Sequence, residues 1–538
     1  MKKLLYIYLL LCLAISASAV PAKRGPRNIT QPDGTTITAW LHGDEFYNYF
    51  TDAEGRILER DGNGFYVAGD RQTDENIRAK RAASPMKKAR KVGTPNLNAS
   101  RGLFILVNFT DSTYRSTDTR AQMDSMLNQH GYNYDGSPGS ARDYFIEQSG
   151  GRFAPHFDVY GPVTLSHPES YYGANYSGTN TDKLGYQMII DACNAIDSQV
   201  DFSIYDTDND GYIDFVYVIY AGMGANDGGK ETDIWPHQWG VYTGARIIRR
   251  YDGKVLDNYA CGAEVNGLNR RNGIGVLAHE FSHVLGLPDY YDVNYQDNYD
   301  NGITPNEWSL MDYGPYNNDG ICPPNYSAHD KYFLGWSTPT LLDTAENVTL
   351  PADNNTFRYI TSDGSTTAAT SEKRVYYIEN RQNTGWDEYL PGHGLVVWDV
   401  NYKASLWSAN TVNSTTNVTR FTVVSASGDK NYIGLCSTAG FEDLCNHDPF
   451  PGTTGTTAFY PFITGNQQPA DCAYPMTDIT EANGVITFKM AGGISTNPTE
   501  ASSPSEERCS ARKVLISGTL RIERQGNTYD ALGRRLTN

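Results

Sequence analysis

The stretch from His279 to Asp289, reading His-Glu-Phe-Ser-His-Val-Leu-Gly-Leu-Pro-Asp, constrains this chain more than any other. Apolar residues at 274, 277, 281, 284 and 285 recur at helical spacing, and the pattern stops at Gly286, a residue suited to the left-handed turn that ends a helix. The predicted helix carries His279 and His283 four residues apart. At about 100° per residue both imidazoles reach one face, one turn apart, where they can hold a single tetrahedral zinc ion. Glu280 points off that axis, towards a water on the metal rather than the metal itself, which is the position of a general base. A helix closed by a sharp turn brings Asp289, ten residues beyond His279, back as a third ligand and leaves a fourth position for water. Glu307 is the alternative third ligand, although its neighbour Pro305 places it in a loop rather than on a second helix.

Downstream, Trp308-Ser309-Leu310-Met311-Asp312-Tyr313-Gly314 supplies Met311 as an apolar floor beneath the ligands, a structural role, and Tyr313 as a group able to reach a developing oxyanion. His237, between Trp235 and Trp239, reads as a buried, hydrogen-bonded histidine. A second metal pattern lies upstream. Asp206-Thr207-Asp208-Asn209-Asp210-Gly211-Tyr212-Ile213-Asp214 has carboxylates at positions 1, 3 and 5 of a calcium loop, glycine at 6 and a backbone carbonyl at 7. Position 12 is Tyr217 rather than a bidentate Glu, so the loop is no complete EF-hand. A single structural calcium held by Asp206, Asp208, Asp210, Tyr212 and Asp214 is expected, followed by a strand.

Composition limits the class. With 20% charged residues, 51 Gly, 38 Tyr and a net charge of −18, the chain suits a globular, loop- and β-rich extracellular protein and not a disordered or coiled-coil one. The acidic balance excludes nucleic acid as a partner, because phosphate binding needs a basic footprint. The charge is uneven: residues 100–491 hold 22 basic and 47 acidic side chains, residues 20–99 hold 13 and 10. Met1-Lys2-Lys3, an apolar run over 4–15 and Ser16-Ala17-Ser18-Ala19 have the layout of a secretory signal cleaved after Ala19. No run is long enough to span a bilayer.

Residues 24–78 alternate short β-type runs with turns at Gln31-Pro32-Asp33-Gly34, Asp52-Ala53-Glu54-Gly55 and Asp61-Gly62-Asn63-Gly64, predicting three or four hairpin strands. The basic linker at 80–91 is a substrate for a trypsin-like protease, which makes 20–99 a candidate propeptide. After residue 338 strands and turns take over with no evident helix, so 339–491 reads as a β-sandwich-like domain. Residues 492–508 form a linker and 509–538 a tail containing a two-strand hairpin. Cys193, Cys261, Cys322, Cys436, Cys445 and Cys472 lack any Cys-x-x-Cys spacing and are disulfide candidates in an oxidising compartment, with Cys436 and Cys445 the expected pair.

The run His279–Asp289, the methionine segment and Tyr313 resemble the metzincin metallopeptidases. The longer string through Asp292, with Arg142-Asp143-Tyr144-Phe145, Gln148-Ser149-Gly150-Gly151 and Trp235-Pro236-His237, resembles the immune inhibitor A family of secreted bacterial metalloproteases. Gln31-Pro32-Asp33-Gly34 with His42-Gly43-Asp44-Glu45 resembles that family's propeptide. The resemblance implies an α+β, metzincin-like zinc-peptidase domain over 100–338, with a β-rich propeptide before it. It implies a monomeric zymogen whose own propeptide inhibits it, acting on peptide bonds of extracellular proteins. The tail resembles C-terminal signals by which some secreted bacterial proteins reach an outer-membrane export system. The alternative is a catalytically silent adhesin or glycan-binding protein on the same fold, which would not require Glu280.

Overall fold

The computed structural model describes residues 19–71, 100–175, 182–293, 304–353, 356–361, 374–414, 418–428, 445–462 and 471–494, with the backbone of short stretches elsewhere. Residues 1–18 of the expected signal and most of the basic linker lie outside the described residues.

The N-terminal segment forms one five-stranded antiparallel meander, Pro26–Thr30, Thr36–Gly43, Asn48–Thr51, Arg56–Arg60 and Tyr66–Arg71. Each predicted turn is closed by its own aspartate: Asp33, Asp52 and Asp61 accept backbone N–H bonds from Thr35, Glu54 and Asn63 at 2.9, 3.1 and 2.8 Å. The fifth strand arises at Asp44-Glu45-Phe46-Tyr47, a turn without Pro-Gly punctuation, in which the Asp44 carboxylate accepts from Phe46 N–H at 3.0 Å.

Next comes a five-stranded sheet in the order His156–Thr164, Arg101–Asn108, Val216–Met223, Asn258–Val265, His237–Gly240. The first four are parallel neighbours and the last is an antiparallel edge. Period-2 alternation splits its strands cleanly. Leu103, Ile105, Val107, Val216, Val218 and Tyr220 pack under the helix Gly185–Ile196, whereas Phe104, Leu106, Phe215, Tyr217 and Ile219 pack under Ala141–Gln148 and Gly275–Val284. The mixed helix and strand content matches the expected class; the helix cover on both faces of a mostly parallel sheet goes beyond it.

In the second half, a five-stranded sheet containing Arg374–Arg381 and Gly394–Asn401 lies against a three-stranded sheet of Glu346–Leu350, Val485–Met490 and Met476–Ala482. Ile360, Tyr376, Ile378, Leu395 and Val397 join Val348, Ile479, Ile486 and Phe488 in one core between the sheets. The opposite face of the larger sheet, with Tyr359, Val375, Tyr377, Val396 and Trp398, belongs to the core of the helix-covered sheet. The larger sheet is therefore buried on both faces and continuous with the domain before it.

Several expectations are corrected. A short helix, Ala404–Ser408, interrupts the supposed all-strand region, and the C-terminal tail holds four antiparallel strands rather than two. Cys193, Cys261, Cys322, Cys445 and Cys472 are free thiols. Cys445 therefore does not pair with Cys436, which lies outside the described residues; its Sγ faces Glu307 Oε2 at 3.7 Å. Cys193, Cys261 and Cys322 are fully buried and serve as small apolar core residues.

Candidate metal centre

The helix Gly275–Val284 is buried along its whole length. Its end is a Schellman turn: Leu287 N–H donates to Ser282 O and Gly286 N–H to His283 O, both at 3.0 Å, with Gly286 at φ 105°. That reversal folds Leu287-Pro288-Asp289 back over the helix and delivers Asp289 to the two histidines.

Second-sphere carbonyls set the tautomers. His279 Nδ1 lies 2.7 Å from Leu310 O, and His283 Nδ1 lies 2.8 Å from Leu287 O. A neutral imidazole that donates from Nδ1 keeps a lone pair on Nε2. Burial lowers the pKa of His279, which favours that neutral ring. The two Nε2 atoms lie 3.1 Å apart, and each is 3.2 Å from Asp289 Oδ1. Three acceptors thus face one another at 0–3% exposure, and no hydrogen bond reaches Asp289 Oδ1. Such a trio is repulsive unless a cation or a shared proton sits among it. Tetrahedral zinc with bonds of about 2.0–2.1 Å requires donors about 3.3 Å apart, so these residues fit the ion.

Asp289 is held by a residue with no motif in the sequence. Asn410 Oδ1 accepts from Asp289 N–H at 2.6 Å and Asn410 Nδ2 donates to Asp289 Oδ2 at 2.5 Å, leaving Oδ1 for the histidines. Asn413 donates to Tyr290 O at 2.6 Å, and Tyr290 stacks on Phe421 at 3.9 Å between centroids. One wall of the site therefore comes from the β-rich half.

Glu280 is fully buried, and burial pushes its carboxyl well above the usual range. Its cover is the segment spanning the expected signal cleavage, Ala19 to Pro21. Val20 N–H donates to Glu280 Oε1 at 2.9 Å, Tyr291 donates to Ala19 O at 2.7 Å, Trp235 Nε1 to Val20 O at 3.0 Å and Tyr316 to Pro21 O at 2.5 Å. Tyr313 lines the same cleft, half-buried, with the Arg24 guanidinium carbon 3.3 Å from its ring centre. Met311 is fully buried, and its carbonyl accepts from Tyr290 N–H at 2.8 Å. His237 bonds Trp235 O at 2.7 Å and Tyr259 at 2.9 Å, as a structural histidine does. Glu307, the alternative third ligand, pairs with Arg24 and stands outside the metal-ligating group.

Asp206, Asp208 and Asp210 also converge, with one carboxylate oxygen from each within 4.8 Å of the others. Asp214 does not join them: its Oδ2 accepts from both the N–H and the hydroxyl of Thr207. The Tyr212 N–H donates to Asp210 at 2.8 Å, and the Lys254 ammonium lies 2.6 Å from Asp206 Oδ2.

Residues 99–338 match a family model described as the immune inhibitor A peptidase M6 catalytic domain. The chain is 29% identical over 218 residues to immune inhibitor A of Bacillus thuringiensis subsp. alesti, covering 36% of this chain and 31% of that protein. It is 28% identical over 222 residues to the pre-pro-metalloprotease PrtV of Vibrio cholerae serotype O1 (strain M66-2), covering 36% of this chain and 23% of the other. The match thus spans less than a third of either relative.

Proposed function

We propose that residues 99–338, which are similar to the immune inhibitor A peptidases, form a metallopeptidase domain and that the protein is a secreted zinc endopeptidase made as a zymogen. His279, His283 and Asp289 would hold the zinc, which supplies an electrophile for the peptide carbonyl and acidifies water. Glu280 takes a proton from the attacking water and returns it to the leaving amine. Tyr313 donates to the oxyanion that develops on the carbonyl. Asn410 keeps Asp289 turned towards the histidines. The observation that carries the reading is the fully buried trio of acceptors facing one another beside Glu280.

Latency is supported by the segment lying on Glu280. Cleavage after Ala19 would turn the Val20 nitrogen, 2.9 Å from Glu280 Oε1, into an α-ammonium paired with the proposed base. Residues 20–99 then act as an inhibitory propeptide, and a trypsin-like cut within 80–91 starts activation. Secretion is supported by the signal-like start. Calcium is the fitting ion for Asp206, Asp208 and Asp210, with the Tyr212 carbonyl as a further ligand.

The test is casein cleavage by the chain after limited trypsin treatment, with and without a zinc chelator. Chelator-sensitive cleavage that appears only after the linker is cut is expected. Equal cleavage by the uncut chain would remove the zymogen claim, and cleavage persisting in Glu280→Ala would remove the proposed base.

A further inference from the structure

The segment covering Glu280 also displays the side chains that the cleft accepts. Lys23 places its ammonium between Asp227 Oδ2 at 3.2 Å and Asp319 Oδ1 at 3.1 Å. Arg24 is held from three directions. Its Nη1 donates to Glu307 Oε1 and its Nη2 to Asn306 Oδ1, each at 2.8 Å, while its guanidinium stacks on the Tyr313 ring. A carboxylate, an amide oxygen and an aromatic face arranged around one planar cation match arginine better than a lysine point charge. The Arg24 and Glu307 side chains keep only 20% and 17% exposure, so water screens the pair less than it would a surface ion pair.

The domain builds this cradle without help from the covering segment. Asn306 N–H donates to Asp312 Oδ2 at 2.7 Å, Tyr313 N–H donates to Asn306 O at 3.2 Å, and Asn317 holds Glu307 O at 3.1 Å. Removal of residues 20–99 would take away Lys23 and Arg24 and leave their acidic partners lining the cleft. In an extended chain Arg24 lies four residues from Val20, about 13 Å from the nitrogen on Glu280, which is within the reach of a substrate subsite.

We propose that this peptidase selects substrates carrying a basic residue, arginine above lysine, a few residues from the cleaved bond, bound by Glu307, Asn306 and Tyr313, with Asp227 and Asp319 taking an adjacent basic side chain. The proposal rests on the peptidase reading above. The acidic residues are identified as a site by the Lys23-Arg24 pair already seated on them.

Two measurements on the trypsin-activated full chain test it. The first is kcat/KM for fluorogenic peptides in which a single arginine, lysine, citrulline or alanine is moved through each position flanking the cleaved bond. One position is expected at which arginine exceeds both citrulline and alanine by about tenfold or more, and Glu307→Lys should shift the preference there to glutamate. The second is anisotropy of a C-terminally labelled Val-Pro-Ala-Lys-Arg-Gly peptide, the sequence of residues 20–25, which reads the cleft without turnover. Its affinity should fall about tenfold when arginine becomes citrulline. Cleavage of alanine peptides with no position favouring arginine would overturn the proposal and leave the peptidase reading intact. Arginine-dependent binding with no cleavage of any peptide would uphold the cradle and overturn the peptidase reading. Binding indifferent to citrulline would overturn the cradle whatever the turnover.

Discussion

Two acidic constellations in this molecule were visible as motifs, and they differ in how they meet their electrostatic needs. The trio of His279, His283 and Asp289 is buried, its imidazole Nδ1 atoms are committed to carbonyls, and its remaining lone pairs converge on one point. The loop of Asp206, Asp208 and Asp210 stands nearer water, and its carboxylates accept from the Asp210, Gly211 and Tyr212 N–H groups and from Lys254. A buried set of acceptors must be neutralised by a cation or a proton, whereas a loop supplied with amide donors and a lysine tolerates the lack of a metal. Burial, more than the motif, separates a cluster whose lone pairs lack donors from one that already has them.

The largest expected effect that would sharpen this contrast is at Glu280. Glu280→Ala should lower kcat about 10²–10⁴-fold with zinc content unchanged by elemental analysis. A loss of zinc in that variant would make Glu280 a ligand and break the distinction between the trio and its neighbour. Next is Asn410→Ala, which leaves the three ligands in place but releases the Asp289 carboxylate. Zinc affinity, read by competition with a chromogenic chelator, should drop about 10–100-fold. An unchanged affinity would mean that the trio needs no support from the β-rich half.

Acid sensitivity should follow the buried region too. Burial lowers the pKa of His329 to about 3, against about 6.5 unfolded. Its ring sits among Tyr377, Trp407 and Phe421. The unfolded chain takes up that proton first, so the stability contributed by the neutral ring is full above about pH 6.5 and declines as pH falls towards 3. Urea midpoints of the wild type should decline over that window, and His329→Phe should flatten part of the decline. An equally steep decline would assign it to other groups. The smallest effect belongs to the aspartate loop, in which Asp208 and Asp210 are exposed and Asp206 is buried. Calcium should raise Tm by a few degrees through preferential binding to the folded chain, Asp208→Asn should remove that increment, and neither should alter zinc content. A calcium-independent Tm would leave the loop as a self-satisfied turn.

Much of the candidate metal site was readable because its chemistry is local. The helix, its Schellman stop and the return of Asp289 follow from residues 274–289, where periodicity and one glycine dictate the backbone. The N-terminal turns were equally plain, because each carries its own aspartate. The fifth strand was not, since its turn at Asp44 depends on a side chain bonding its own backbone without Pro-Gly punctuation. Asp214 satisfied the loop pattern by number, and its Oδ2 accepts from the N–H and hydroxyl of Thr207. Cys436 and Cys445 were paired by proximity in sequence, and Cys445 instead turns its thiol towards Glu307.

The sequence by itself determined the identity and spacing of the candidate ligands, the proposed base beside them and the acidic and basic division of the chain. Only the tertiary structure decided that Asn410 orients Asp289 from 121 residues away, that Val20 reaches Glu280 and that Arg24 rests on Tyr313 between Asn306 and Glu307. Those contacts join segments far apart in the chain. They depend on how the two cores meet, because a solitary asparagine or arginine has no periodicity or spacing that announces its partner.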